Sequence, residues 1–242
     1  MGINFISFTE ACRAAAITGL MLLAACGHVD FENAPEGEFD GTLFVMWVGE
    51  GGSSGDGAFV FVPNPRDPLI FRRSVDGTVR EIRPQLMYTD GGSIPKLGQV
   101  FEGLSPWGYA PAYMVHDWLF AANQCLTDGL ANEEEMKIEG MSFQESADII
   151  AEAIKTLIET NQVSRNDVAP QVISSAVAGP IARRAWEREG ACRNPRVSEE
   201  DELAARSGIP GARVSLRGAV RRMDNGDVVP IRPAQIVSVV SF

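Results

Sequence analysis

Tyr109-Ala110-Pro111-Ala112-Tyr113-Met114-Val115-His116-Asp117-Trp118-Leu119-Phe120-Ala121-Ala122-Asn123 is apolar on nearly every face that a helix would present. A helix without a polar face is a buried helix, so the remainder of the chain has to wrap it. His116 and Asp117 are the exceptions. From Gly103 to Leu126 they are the only routinely charged side chains. Burying charge without a partner or a metal is costly, which singles the pair out as the candidate centre of chemistry.

Helical signals continue downstream. Residues 126–141 are acidic and contain glycine, and read as a surface loop with some helix. Ser142 and Glu145 fit a capping box, and Phe143, Ala147, Ile150, Ile154, Leu157 and Ile158 then recur at helical spacing. A third helix is predicted from Asn166 or Asp167, broken at Gly179-Pro180, resuming through Trp186 to about Glu189. Trp107, Trp118 and Trp186 read as packing residues, and Arg183-Arg184 and Arg221-Arg222 as solvated faces.

Upstream the pattern is β. Strands are predicted over 42–48, 58–62 and 69–73, then a turn at Asp76-Gly77 and a strand over 78–82. The glycine-rich run 49–57 lacks a Gly-Lys-Ser/Thr ending and reads as a hairpin loop rather than a phosphate cradle. At the far end, 194–208 is charged and loop-like. Strands are predicted over 214–220 and 236–240, with a turn at 224–227, and Pro230 and Pro233 oppose a long strand between them. The expected fold is α+β: a small antiparallel sheet packed against a layer of about three helices, with a C-terminal β extension.

The N-terminal segment carries an address. Arg13 precedes an apolar stretch, and Leu23-Ala24-Ala25-Cys26-Gly27 follows it. The stretch is about a dozen residues, short of the roughly 20 that span a bilayer, and small residues precede the cut, as in a secretory signal. The run resembles the lipobox of bacterial lipoprotein precursors, which implies that Cys26 becomes the diacylated first residue. Two acyl chains suffice for stable anchoring. Gly27, in place of Asp, resembles the outer-membrane sorting habit of such proteins. The expected organisation is a signal peptide over 1–25, a lipidated Cys26 with a flexible tether to 39, an α+β domain over 40–192, and a charged linker with the β extension over 193–242.

Net charge is −11 and the sequence pI about 4.7, which opposes non-specific nucleic-acid binding through cationic phosphate contacts. The partner expected on these grounds is the membrane, held through the acyl chains; no nucleic acid is expected. Of four cysteines, Cys12 leaves with the signal and Cys26 takes the lipid. Cys125 and Cys192 remain as an even pair in an oxidising compartment, and a disulfide between them is predicted.

Two further runs accompany the His-Asp pair: Thr89-Asp90-Gly91-Gly92-Ser93-Ile94-Pro95, and Asp148 on the following helix. Thr89, Asp90, Ser93, Ile94 and Pro95, then His116, Asp117, Leu119 and Phe120, then Ala147 and Asp148, then Ala176, Val177 and Trp186, resemble in order and spacing the domain-of-unknown-function family 1353 of phages and bacteria, over roughly residues 40–190. Gly92 and Phe120 depart from its pattern, which usually has a small residue such as Ala and a Tyr there. The insertion over 125–140 and the C-terminal strands depart too. The family label brings no reaction.

Three readings of the site stand side by side. Asp90, His116, Asp117 and Asp148 form a ligand set suited to a divalent Zn, Mn or Fe ion, whose bound water would attack an ester or phosphoester. Alternatively Ser93 is a nucleophile with His116 as base and an aspartate orienting the ring, although Pro95 disfavours the usual nucleophile elbow. In the third, Asp90 caps a turn and the His-Asp pair satisfies structural hydrogen bonds. The functional expectation is a periplasm-facing, membrane-anchored lipoprotein with a metal-dependent hydrolytic site; the alternative is a non-catalytic envelope or phage-related binding protein.

Overall fold

The computed structural model describes residues 29–49, 58–89, 108–163, 176–223 and 226–242. Its strands are β1 (Glu38–Asp40), β2 (Thr42–Trp47), β3 (Phe59–Pro63), β4 (Ile70–Val75), β5 (Thr78–Ile82), β6 (Met87–Thr89), β7 (Val220–Arg222), β8 (Val228–Pro230) and β9 (Gln235–Ser241). Its helices are α1 (Ala110–Thr127), α2 (Glu133–Met136), α3 (Phe143–Glu159), α4 (Pro180–Trp186) and α5 (Glu199–Gly208). The architecture is α+β, with three antiparallel sheets among the described residues, ordered β6-β3-β2-β9, β1-β4-β5 and β7-β8.

Strand β2 shows why the chain makes two cores. Successive strand side chains point to opposite faces. Leu43 and Val45, with Phe61 of β3, enter one core together with Met114 and Leu119 of α1 and Ile150, Ile154 and Leu157 of α3. Phe44, Met46 and Val48, with Val60 and Val62, enter a second core closed by Ala204, Ala205, Ile209, Ile231 and Ala234. The sheet is therefore covered on both faces. The unbroken apolar run of β2 is what a two-sided strand requires.

The C-terminal segment supplies that second cover. Strand β9 pairs antiparallel with β2, Leu43 facing Val240 and Phe44 facing Val239, and Thr42 Oγ1 lies 2.5 Å from Ser241 Oγ. The predicted β extension is thus an integral strand of the central sheet. Three local expectations are corrected. Residues 199–208 form a helix, not a loop, capped by Ser198, whose side chain accepts from Asp201 N–H. Residues 214–219 are not a strand; β7 begins at Val220, and its hairpin with β8 is three residues long on each side. Arg221 is also not solvated. Its guanidinium is paired with Asp201 and mostly buried.

The expected tether over 26–39 is corrected where it is described. Phe31 is buried in the first core, Gly37 N–H donates to Thr156 Oγ1 at 2.8 Å, and β1 already begins at Glu38, pairing with β4. Gly41, with φ of 89°, turns the chain from β1 into β2 where its backbone presses on the Pro68 carbonyl; a side chain there would collide with it.

Sheet β1-β4-β5 is fixed to the helical layer by one buried cation. Arg73 donates Nε and Nη2 to the two oxygens of Glu152 at 2.8 and 2.7 Å, and Nη1 to Glu145 at 2.7 Å. Glu145 was expected to complete a capping box with Ser142. Ser142 does accept from Glu145 N–H, but the carboxylate is drawn to Arg73 and Arg80 instead. A full capping box occurs one helix earlier, between Asn132 and Glu135.

Candidate functional site

Helix α1 brings His116, Asp117, Phe120 and Gln124 onto one face, since residues three, four and eight apart stack along a helix. That face looks into an open cavity of about 740 Å³, bounded by Met87, Tyr88 and Thr89 at the β6 end, by 176–185 around the start of α4, and by Arg188, Asn194 and Pro195. Its size falls in the roughly 300–1,000 Å³ range of small-molecule sites.

Of the polar residues that line it, the histidine is the most buried. His116 is 4% exposed. Its Nδ1 lies 3.4 Å from Asp117 Oδ1. A carboxylate only accepts, so as a hydrogen bond this contact requires a proton on Nδ1, the tautomer in which Nε2 of a neutral ring is an acceptor. Nε2 has no hydrogen-bond partner among the described residues. At 3.4 Å the contact is long for a hydrogen bond. Phe120 holds the ring from one side, centroids 4.6 Å apart, and itself meets Trp186 edge-on at 5.1 Å. Phe120 thereby serves as an aromatic buttress, a role that needs no tyrosine hydroxyl.

One turn before His116 stands Tyr113. Burial pushes its phenol far above the ordinary range, and Tyr109 and the Asp117 carboxylate push in the same direction. Tyr109 is raised by burial as well. Both phenols stay neutral through the physiological range.

The far wall is clamped to the end of α1. Cys125 is disulfide-bonded to Cys192, as the cysteine count predicted. Asp128 accepts from Gly190 N–H at 2.7 Å and Cys192 N–H at 3.0 Å, and these backbone donors hold its carboxyl below its ordinary value. Asn123 and Gln124 donate to the Trp186 and Ala185 carbonyls at 2.9 and 2.8 Å, satisfying orphan acceptors at the end of α4. Tyr88 N–H donates to the Pro195 carbonyl at 2.9 Å.

The predicted site residues fare differently. His116 and Asp117 come together in the cavity, and Thr89 ends the strand that leads into it. Asp90, Ser93 and Cys26 lie outside the described residues. Asp148 is half-buried on α3, accepts from Gln144 Nε2 at 3.0 Å, and does not line the cavity. Asp117 engages the ring nitrogen of His116 instead of converging with it on a shared point. No group of three His, Cys, Asp or Glu side chains gathers as a metal centre among the described residues. Gln124, Arg188 and Ile181 belong to the cavity and were not foreseen; of these, Gln124 was accessible from its spacing to His116.

No protein family, curated protein or solved structure matches the chain.

Proposed function

We propose that the protein is a lipid-anchored hydrolase of the bacterial envelope, with His116 as the proton-transfer group and Asp117 as its orienting partner. The observation that carries this reading is the split environment of one buried ring in a residue that lines a ligand-sized cavity: Nδ1 faces a carboxylate, and Nε2 is unpartnered among the described residues. Histidine in this arrangement is suited to general base catalysis. Nε2 takes a proton from water as the water oxygen bonds to the carbonyl carbon of an ester. The tetrahedral intermediate then expels its alkoxide, which receives the proton back from Nε2.

A divalent ion is the second form of the same reading. A carboxylate on the far nitrogen of a histidine is the usual outer partner of a metal-bound imidazole, and His116 Nε2 would be the ligand. Asp90, next in sequence to Thr89, is the proposed second ligand, and the bound water would replace the free one as nucleophile.

The envelope assignment rests on the Leu23-Ala24-Ala25-Cys26 run and is supported by the Cys125–Cys192 disulfide, since such bonds persist in oxidising compartments. The order of Thr89, His116-Asp117, Asp148 and Trp186 supports kinship with family 1353.

The test uses full-length protein in detergent against a panel of p-nitrophenyl esters and phosphoesters. Turnover should fall by about 100-fold or more in His116→Gln, the usual contribution of a general base, with the thermal midpoint retained. Loss on chelation and recovery with added metal selects the second form. Absence of turnover on the whole panel, or full turnover in His116→Gln, overturns the proposal. Incorporation of labelled fatty acid that disappears in Cys26→Ala checks the anchor.

A further inference from the structure

The walls of the His116 cavity are mainly aliphatic, and its mouth carries an unusual pair of side chains. Ile181, in the first turn of α4, is 81% exposed, the highest value among the exposed large apolar residues, and it lines this cavity. Arg188 lines the same cavity. It is exposed, and its guanidinium has no ion pair among the described residues, in a chain of net charge −11. The small side chains of Ala176, Ala182 and Ala185, with Val177, leave open width between α1 and α4.

A largely apolar lining and, at Arg188, a cation without an ion pair among the described residues specify two parts of one ligand. We propose that the cleft binds a linear acyl amphiphile of medium chain length bearing an anionic group. The chain lies along Val177 and Ile181, and the anionic group meets Arg188. Covering Ile181 removes apolar surface from water, which explains an exposed isoleucine at that place. A short polar ester would leave it wet. A cationic amphiphile would gain nothing from Arg188. This inference concerns the same cavity as the hydrolytic reading, but binding can be read separately from turnover.

The experiment places the full chain in lipid nanodiscs and irradiates it with a ten-carbon carboxylate carrying a diazirine. Labelled peptides are mapped by mass spectrometry. Saturable label is expected on the segments containing Val177, Ile181 and His116, competed by decanoate and not by acetate or decyltrimethylammonium. Ile181→Asp should weaken labelling about ten-fold, and Arg188→Glu about three-fold or more. Both positions are exposed, so neither change threatens folding. Label that never saturates, that spreads over the apolar surface, or that ignores both substitutions overturns the inference. If specific label appears and no ester is turned over, the hydrolytic reading fails while this site stands. If esters are turned over without regard to chain length and label is not competed, this site fails and hydrolysis stands.

Discussion

Asp117 Oδ1 lies 3.4 Å from His116 Nδ1, and the opposite nitrogen of the same ring has no partner among the described residues. A buried polar atom without a partner costs on the order of 1–3 kcal/mol, so the fold gains little from keeping this imidazole. His116→Phe should therefore abolish turnover and leave the thermal midpoint unchanged or higher, because the new ring can still meet Phe120. A melting scan that shows a marked loss of stability would make His116 a structural residue.

The Arg73–Glu152 pair behaves in the opposite way. Both groups are buried and joined by two hydrogen bonds. Arg73→Leu leaves the Glu152 carboxylate without its cation, which is expected to cost about 3–5 kcal/mol. Urea denaturation of the single variant and of Arg73→Leu/Glu152→Leu checks this, the double variant recovering much of the loss.

The Cys125–Cys192 bond closes a span of 67 residues. Reduction, or Cys125→Ala with Cys192→Ala, should lower stability by about 2–5 kcal/mol. It should also raise hydrogen exchange selectively at 188–196, the segment that walls the cavity.

High pH strains the helix that carries the site. An unfolded tyrosine ionises near pH 10, whereas folded Tyr113 holds its proton to higher pH. Its contribution is complete below about pH 10 and is lost as pH rises from there through the folded value. The slope is up to about 1.4 kcal/mol per pH unit. Tyr113→Phe should flatten that part of a denaturation profile; an unchanged slope would remove the assignment.

Low pH acts at the other end of α1. Backbone donors hold the Asp128 carboxyl below its ordinary value, so its contribution is present above about pH 4 and is lost as pH falls through the folded value. Amide exchange at Gly190 and Cys192 should accelerate in that window and be accelerated at all pH values in Asp128→Asn.

Local signals were read well where one element explained itself. The largely apolar run over 109–123 announced a buried helix, Asp76-Gly77 announced its hairpin, and Gly179-Pro180 announced the break before α4, the predicted helix over 166–175 lying outside the described residues. Misreadings arose where the meaning of a residue depended on a distant one. Glu145 has the spacing of a capping residue, but Arg73, 72 positions away, takes its carboxylate. Helix α5 hides its core face in Ala204 and Ala205 among acids, so its hydrophobic pattern is faint. Its start was nevertheless legible in Ser198-x-x-Asp201. At the site, the sequence offered four ligand candidates without saying which share a hollow. Helical spacing allowed Asp148 to face His116, and packing sends it to Gln144 instead.

The bond between the side chains of Thr42 and Ser241 spans 199 positions. Contacts so remote are made late, after the entropy of a large loop has been overcome. A chain synthesised from its N-terminus therefore carries β2 with a raw edge until β9 follows it. The period of exposure is set by how quickly the tail arrives, and during it the edge is open to wrong pairing.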